Sequence, residues 1–269
     1  MIIDAHIHCS GKEDVSDILR ALDHAGIDRA VLVAPFLNGM YSMHSSKAIM
    51  RANRYLARLV QAGGDRLIGF GILNPSLEGA GPDLSMIGEL GLRGLKMVPS
   101  GWYPYDDCAH RAYERAAAWG MPILFHSGIF IDGRSGRFCR PVFYEIIRHY
   151  PRLRVTLAHL GWPWVDEAIA VGMVDLINGI PPDRCQFRFD ISFGAPPARR
   201  KKIVKEALSV LPPDLLQFGS NAILPCTGHY LKGCMDEVRQ MLASLDVGWR
   251  GHARIMGGTA EAWLKDNPS

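Results

Sequence analysis

Short apolar runs alternate with longer amphipathic segments along the whole chain. Eight apolar runs predict strands at residues 2–7, 29–35, 66–73, 92–98, 121–127, 153–159, 185–191 and 215–220. Helical periodicity follows at residues 15–25, 46–62, 83–90, 108–119, 141–149, 165–172, 198–211, 229–245 and 259–265. Strands that are almost continuously apolar are typical of a parallel sheet covered by helices.

Eight successive strand–helix units predict the α/β class and, within it, a (β/α)8 TIM barrel. No segment rich in Pro, Gly or Ser divides the chain, so we expect a single domain over residues 1–269. This length is close to the roughly 250 residues that such barrels commonly need.

Composition and charge exclude several classes of protein. A net charge of +3 is too small for a nucleic-acid binder, and residues 199–202, the one basic cluster, precede a helical pattern that predicts a solvated face. No apolar run has the length of a membrane span. The six scattered cysteines, without a C-x-x-C pair, are typical of reduced thiols, and we expect a cytoplasmic protein.

Histidines fall at the ends of predicted strands. His6 and His8 end the first strand, His126 the fifth and His159 the sixth, while Asn221 follows the eighth. The carboxyl ends of barrel strands meet at one rim, so we expect these four imidazoles to converge. Neutral nitrogen donors suit zinc, which leaves a position open for chemistry. The alternative is four structural histidines, each satisfied by ordinary hydrogen bonds.

The same residues resemble a known superfamily. The H-x-H of strand one, single histidines after strands five and six, the G-S-N after strand eight and the late MGGTAEAWL segment are similar to the amidohydrolase superfamily. The branch that they most resemble contains aminocarboxymuconate semialdehyde decarboxylase. The resemblance implies that His6, His8 and His126 hold one divalent metal ion, with zinc favoured. It also implies that His159 bonds the attacking water or the substrate.

Asn221 departs from this pattern, because the resemblance implies an aspartate that binds metal and moves a proton. Asn offers an amide oxygen but carries no charge and accepts no proton. Three explanations are open: an Asp-to-Asn variant that is inactivated, a natural protein that uses another base, or a protein without catalysis. The first is favoured because the rest of the pattern is intact. In the second, His159 is the replacement base.

Loops near the same rim supply candidates for substrate binding. Arg134 and Arg137, beside Phe130, could hold a carboxylate or an aromatic ring, although a solvated basic loop is the alternative. Trp102, after the fourth strand, could line an apolar pocket, although packing of the loops is the alternative. Lys96 lies within the fourth strand. A carbamylated bridging lysine is conceivable, but an inward packing or anion-binding lysine is the better interpretation, so we expect one metal ion.

These features predict a metal-dependent hydrolase that cleaves a C–N, lactone or ester bond in a small organic substrate. A non-oxidative decarboxylase of an aromatic or dienyl acid would use the same residues. A metal-independent lactonase, or a binding protein without catalysis, is the alternative if Asn221 is natural. We expect a small-molecule substrate, with carboxylates and aromatic compounds as candidates, and a homodimer as the candidate assembly.

Overall fold

The computed structural model describes residues 1–37 and 39–265. Position 38 and residues 266–269 of the predicted domain lie outside the described residues. The strands within the described part are β1 (Ile3–His8), β2 (Arg29–Val33), β3 (Leu67–Leu73), β4 (Gly94–Met97), β5 (Ile123–Phe125), β6 (Val155–Leu157), β7 (Phe187–Asp190), β8 (Leu216–Gln217) and β9 (Ala222–Ile223).

All of these strands are parallel and form one sheet in the order β8-β7-β6-β5-β4-β3-β2-β1-β9. The predicted eighth strand is shorter in the structure: β8 pairs with β7, whereas β9, which lies just beyond the predicted end at residue 220, pairs with β1. Between them, the Ala5 amide donates to the Phe218 carbonyl at 3.0 Å, and the Asn221 amide donates to the His6 carbonyl at 2.8 Å. This segment therefore joins the two edges of the sheet, and the predicted TIM-barrel fold is confirmed.

Helices cover the outside of the sheet. They are α1 (Val15–Ala25), α2 (Ser46–Gly63), α3 (Ala80–Glu89), α4 (Asp107–Ala118), α5 (Val165–Ile177), α6 (Pro197–Leu208), α7 (Gly228–Ala243), α8 (Trp249–Ala253) and α9 (Thr259–Leu264). Residues Pro141–His149, which the periodicity assigns to a helix, form a 3-10 helix between β5 and β6. No helix among residues 1–37 and 39–265 is long and apolar enough to cross a membrane.

The ends of α1 illustrate how the sequence sets these boundaries. Asp14 precedes the helix in an extended conformation, and its side chain accepts a hydrogen bond from the Ser16 amide. Gly26 ends the helix in the left-handed region at φ 71°, where a residue without Cβ has no steric penalty. Ile18 and Leu22, one turn apart, face the barrel and are buried.

The core consists of the strand side chains and the inner faces of the helices, and every residue of β1, β3 and β7 is buried. Several of the most buried residues are polar or charged, and they belong to β1, β4 and β7: Asp4, His6, Lys96, Arg188 and Asp190. Burial of so many ionisable groups costs free energy unless each is bonded. Arg188 donates to the Cys185 and Asp183 carbonyls before β7. His6, Lys96 and Asp190, in contrast, contact one another toward the carboxyl ends of their strands, which locates the candidate site inside that end of the barrel.

Candidate active site

The two histidines of β1 lie beside an irregularity in the strand. The pairing with β2 shifts register between Asp4 and Ile7, which places three residue steps of β1 against two of β2. Such bulges redirect side chains and are common next to active sites. The His6 and His8 rings remain neighbours, with centroids 4.7 Å apart.

Gly219 allows the chain to pass close to His6. A Cβ atom at position 219 would lie 2.9 Å from the His6 Cβ. This close approach explains why glycine precedes Ser220 and Asn221 in the motif after the eighth strand. The segment can thereby follow β1 closely enough to form the hydrogen bonds that close the barrel.

Asp190, the last residue of β7, is the acceptor that connects the histidines. Its Oδ2 accepts a hydrogen bond from His6 Nδ1 at 2.9 Å. Its Oδ1 accepts from the backbone amides of His159 at 2.9 Å and Ser192 at 3.0 Å, and also from the Ser192 hydroxyl. Burial opposes ionisation, yet these donors and the adjacent His6 hold the pKa of Asp190 below its usual range. The site therefore contains a buried carboxylate anion.

His159 stands in an unusual backbone conformation after β6. Its φ is 60°, and that of Leu160 is 48°, in the left-handed region that non-glycine residues seldom occupy. Residues held in such conformations cluster at functional sites. On the other side, a Cβ at Gly194 would lie 2.6 Å from the ring carbon Cγ, so glycine is needed for the ring to fit.

Hydrogen bonds orient the His159 ring. Its Nδ1 lies 2.8 Å from the Ser192 hydroxyl oxygen, and that hydroxyl donates to Asp190. The serine oxygen therefore accepts from His159 Nδ1–H, and Nε2 is left with a free lone pair. Burial lowers the pKa of His159 to about 3, so the ring is neutral at physiological pH. The charge of Asp190 and a hydrogen bond to Ser192 favour the protonated form and raise the pKa of His159, but burial outweighs them.

His126 and His8 complete the ring cluster. The ring centroids of His126 and His159 are 5.2 Å apart, and those of His159 and His6 are 5.5 Å apart. His126 Nε2 is 3.0 Å from the Ile129 carbonyl, and His8 Nε2 is 3.0 Å from Asn221 Oδ1. Burial lowers the pKa values of His6, His8 and His126 as well. The four imidazoles are thus contiguous and neutral, as ligands for a metal must be.

Lys96 of β4 adds an amino group to the cluster. It is buried, and its Nζ lies 3.2 Å from His6 Nε2. Because His6 Nδ1 donates to Asp190, Nε2 is the accepting nitrogen of that ring. Burial lowers the pKa of Lys96 to about 7. This placement agrees with the inward-facing lysine that the sequence indicated.

A cavity of about 250 Å³ opens above these groups. Its inner wall holds His8, Lys96, His126, His159 and Asn221, and apolar side chains from the surrounding loops form the rest. Asn221 is left-handed at φ 55°, its Nδ2 donates to the Phe193 carbonyl at 2.9 Å, and its Oδ1 faces His8. Small clefts with convergent polar groups are the usual form of a ligand site.

The four residues expected from the sequence to bind substrate lie in different environments. Phe130 lines the cavity and packs its ring edge against His126, with centroids 4.8 Å apart. Arg134 is exposed away from the cavity lining, and Arg137 is exposed and stacks over Phe138. Trp102 is buried in the core. Arg134, Arg137 and Trp102 therefore lie outside the cavity lining, because position in a loop does not determine side-chain direction, and their contact with a substrate stays a prediction.

Three groups were missed by the sequence analysis. Asp190 stands at the end of β7, in FRFDIS, and the same rule that selected the histidines would have selected it. Ser192 follows two residues later. Asp4 is buried beside His6, where burial raises its pKa to about 7, and its Oδ1 accepts from the amides of His6 and Ser220.

Part of the cluster fits a divalent ion. Among the described residues, ligand atoms of His6, His159 and Asp190 lie within 4.8 Å of one another, a set that includes His6 but not His8 or His126 of the expected metal ligands. The 3.0 Å between His8 Nε2 and Asn221 Oδ1 is near the distance of about 3.3 Å between two ligands of a tetrahedral zinc ion. His8 Nδ1 is buried without a hydrogen-bond partner among the described residues. An ion on His6 Nε2 would replace the bond from Lys96, because that nitrogen has one lone pair.

Comparison with solved structures supports the fold. An uncharacterised TIM-barrel protein from Bordetella bronchiseptica is 18% identical, with 98% of each chain covered and a TM-score of 0.73. A 2,6-dihydroxybenzoate decarboxylase from Rhizobium is 15% identical, with 98% of each chain covered and a TM-score of 0.68. A probable 2-pyrone-4,6-dicarboxylic acid hydrolase from Acinetobacter baumannii, with citric acid bound, is 14% identical over 98% of each chain, with a TM-score of 0.65.

No curated protein matches the chain significantly. The amidohydrolase family model, in contrast, matches residues 3–265. This match spans every strand of the barrel and all of the polar groups described above. The chain therefore belongs to the amidohydrolase family.

Proposed function

We propose that this protein is a metal-dependent hydrolase that cleaves a lactone, ester or C–N bond in a small organic substrate. The superfamily consists mostly of metal-dependent enzymes. The observation that supports the proposal best is the convergence of four neutral imidazoles on one cavity, beside the Asp190 carboxylate. Four structural histidines would not need to share one cluster.

In this proposal His6, His8 and His126 hold one divalent ion, most suitably zinc. The ion supplies Lewis-acid chemistry, because it polarises a carbonyl oxygen and makes a water molecule acidic near neutral pH. His159 takes the proton of the attacking water on Nε2, and Asp190 stabilises the resulting imidazolium through Ser192. His159 then returns the proton to the leaving group.

Removal of the metal tests this proposal. Dialysis against dipicolinate should lower the hydrolysis of responsive lactones, esters or amides by at least about 100-fold, and added zinc should restore it. Protein treated with zinc-saturated dipicolinate is the control. Full activity after elemental analysis has shown that the metal is absent would instead support a metal-independent lactonase.

Asn221→Asp tests the role of the amide. A carboxylate 3.0 Å from His8 Nε2 would add negative charge and a second base, so we expect kcat to rise at least about tenfold. Asn178→Asp, at an exposed position after α5, is the matched control and should leave kcat unchanged. No activity with either residue at position 221 would favour a binding protein without catalysis. That the chain is an Asp-to-Asn variant stays a prediction.

Decarboxylation of an aromatic or dienyl acid is the second candidate. Lys96 favours it, since a buried ammonium group beside the imidazoles can bind a substrate carboxylate. Release of carbon dioxide from such acids, without hydrolysis of lactones or esters, would establish it. A cytoplasmic location and a homodimer also stay predictions.

A further inference from the structure

The outer part of the active-site cavity is apolar and unusually exposed. Five large side chains, which we call the apolar rim, surround its mouth, and between 44% and 80% of each is exposed: Leu37, Ile129, Ile131, Phe193 and Ile223. They come from the segments after β2, β5 and β7 and from β9. Exposed apolar groups that are contiguous in this way commonly mark a binding surface.

The rim continues directly into the cavity. The same five residues line the cavity, together with the buried Phe36 and Phe130. Its volume of about 250 Å³ is slightly below the range of roughly 300–1,000 Å³ that is usual for small-molecule sites. A molecule that fills the inner part and continues outward would therefore lie along the rim.

The polar groups are confined to the inner end. Lys96 is the single Lys, Arg, Asp or Glu among the described lining residues, and the other polar side chains of the lining are those of His8, His126, His159 and Asn221. The rim itself carries no charge. The site thus has a polar floor that suits a carbonyl or one carboxylate and an apolar wall that suits hydrocarbon.

We propose that the site takes amphiphilic substrates, with a lactone, ester or amide head on the polar floor and a straight hydrocarbon chain along the apolar rim. This inference rests on the proposed hydrolase function for the head and on the rim for the chain. The continuity of rim and cavity favours the substrate as the occupant of the rim over a second copy of the protein, which would need a surface outside the cavity.

Calorimetric titration with n-alkanoates from butanoate to decanoate tests the chain without requiring turnover. Once the chain reaches the rim, the affinity should rise roughly fourfold per methylene group, as expected for transfer of a CH₂ from water. The double variant Ile131→Ser, Ile223→Ser should flatten this increase for the longer acids. Ile177→Ser, at a position on α5 that is 70% exposed and outside the cavity lining, is the matched control and should keep it.

Affinity that is independent of chain length, or an undiminished increase in the double variant, would overturn the inference. The inference would also be overturned if the parent protein were a dimer, the double variant were a monomer, and the rise in affinity with chain length were retained. The rim would then be a subunit interface. Turnover separates the two proposals. Zinc-dependent hydrolysis of short lactones without chain preference would leave the proposed hydrolase function standing and remove the inference about the hydrocarbon chain. Chain-dependent binding of the alkanoates without hydrolysis of the matching lactones would leave the inference about the chain standing and remove the hydrolase function.

Discussion

Replacing His159 by asparagine is expected to lower kcat about 10²–10⁴-fold, the range typical of a lost general acid–base group. The ring lies at the cavity wall with Nδ1 bonded to Ser192, so Nε2 is the nitrogen that can exchange a proton with water or substrate. Asparagine can keep a hydrogen bond to Ser192, but it accepts no proton. Steady-state kinetics with the best substrate found under metal-loaded conditions provides the measurement.

The effect should fall on kcat more than on KM, because the proton is transferred in the transition state. His149→Asn is the control, since that histidine is exposed at the end of the 3-10 helix, and its kcat should match that of the parent protein. A His159→Asn variant within about threefold of the parent kcat would contradict the assignment of His159 as the base.

Replacing Asp190 by alanine is expected to lower the free energy of unfolding by about 3–5 kcal/mol, because it removes the charged acceptor of a buried network. Four donor groups, from His6, His159 and Ser192, would lose their shared acceptor. Urea denaturation followed by circular dichroism measures the change.

Asp166→Ala is the matched control, because this exposed carboxylate in the first turn of α5 should contribute less than about 1 kcal/mol. Asp190→Asn keeps the shape and one acceptor oxygen but not the charge, so its loss of stability should be intermediate. Equal stability of the two alanine variants would show that Asp190 does not organise the site.

The sequence was sufficient to predict the barrel and the meeting of the histidines. Alternating apolar and amphipathic segments require parallel strands under helices, and the ends of such strands share one rim. His126 and His159 are 33 residues apart in sequence, yet their rings are neighbours because the strands before them end at the same rim. The break between β8 and β9 could not be predicted, because it depends on the hydrogen bonds of residues 218–224 with β1.

The directions of side chains in loops could not be predicted from the sequence. Phe130 and Arg134 belong to the same loop after β5, yet one packs against His126 and the other is exposed. The bond between Lys96 and His6 likewise depends on which ring nitrogen Asp190 occupies. These contacts arise from three-dimensional packing, which the periodicity of a single chain does not contain.

The central claim is that three histidines from β1 and from the end of β5 share one metal ion. Anomalous X-ray diffraction at the zinc edge, from crystals of the zinc-loaded protein, tests it most directly. The account predicts one anomalous peak enclosed by the rings of His6, His8 and His126, with Lys96 withdrawn from His6 Nε2. Fully loaded crystals with no peak at these rings, and with Lys96 still bonded to His6, would contradict it.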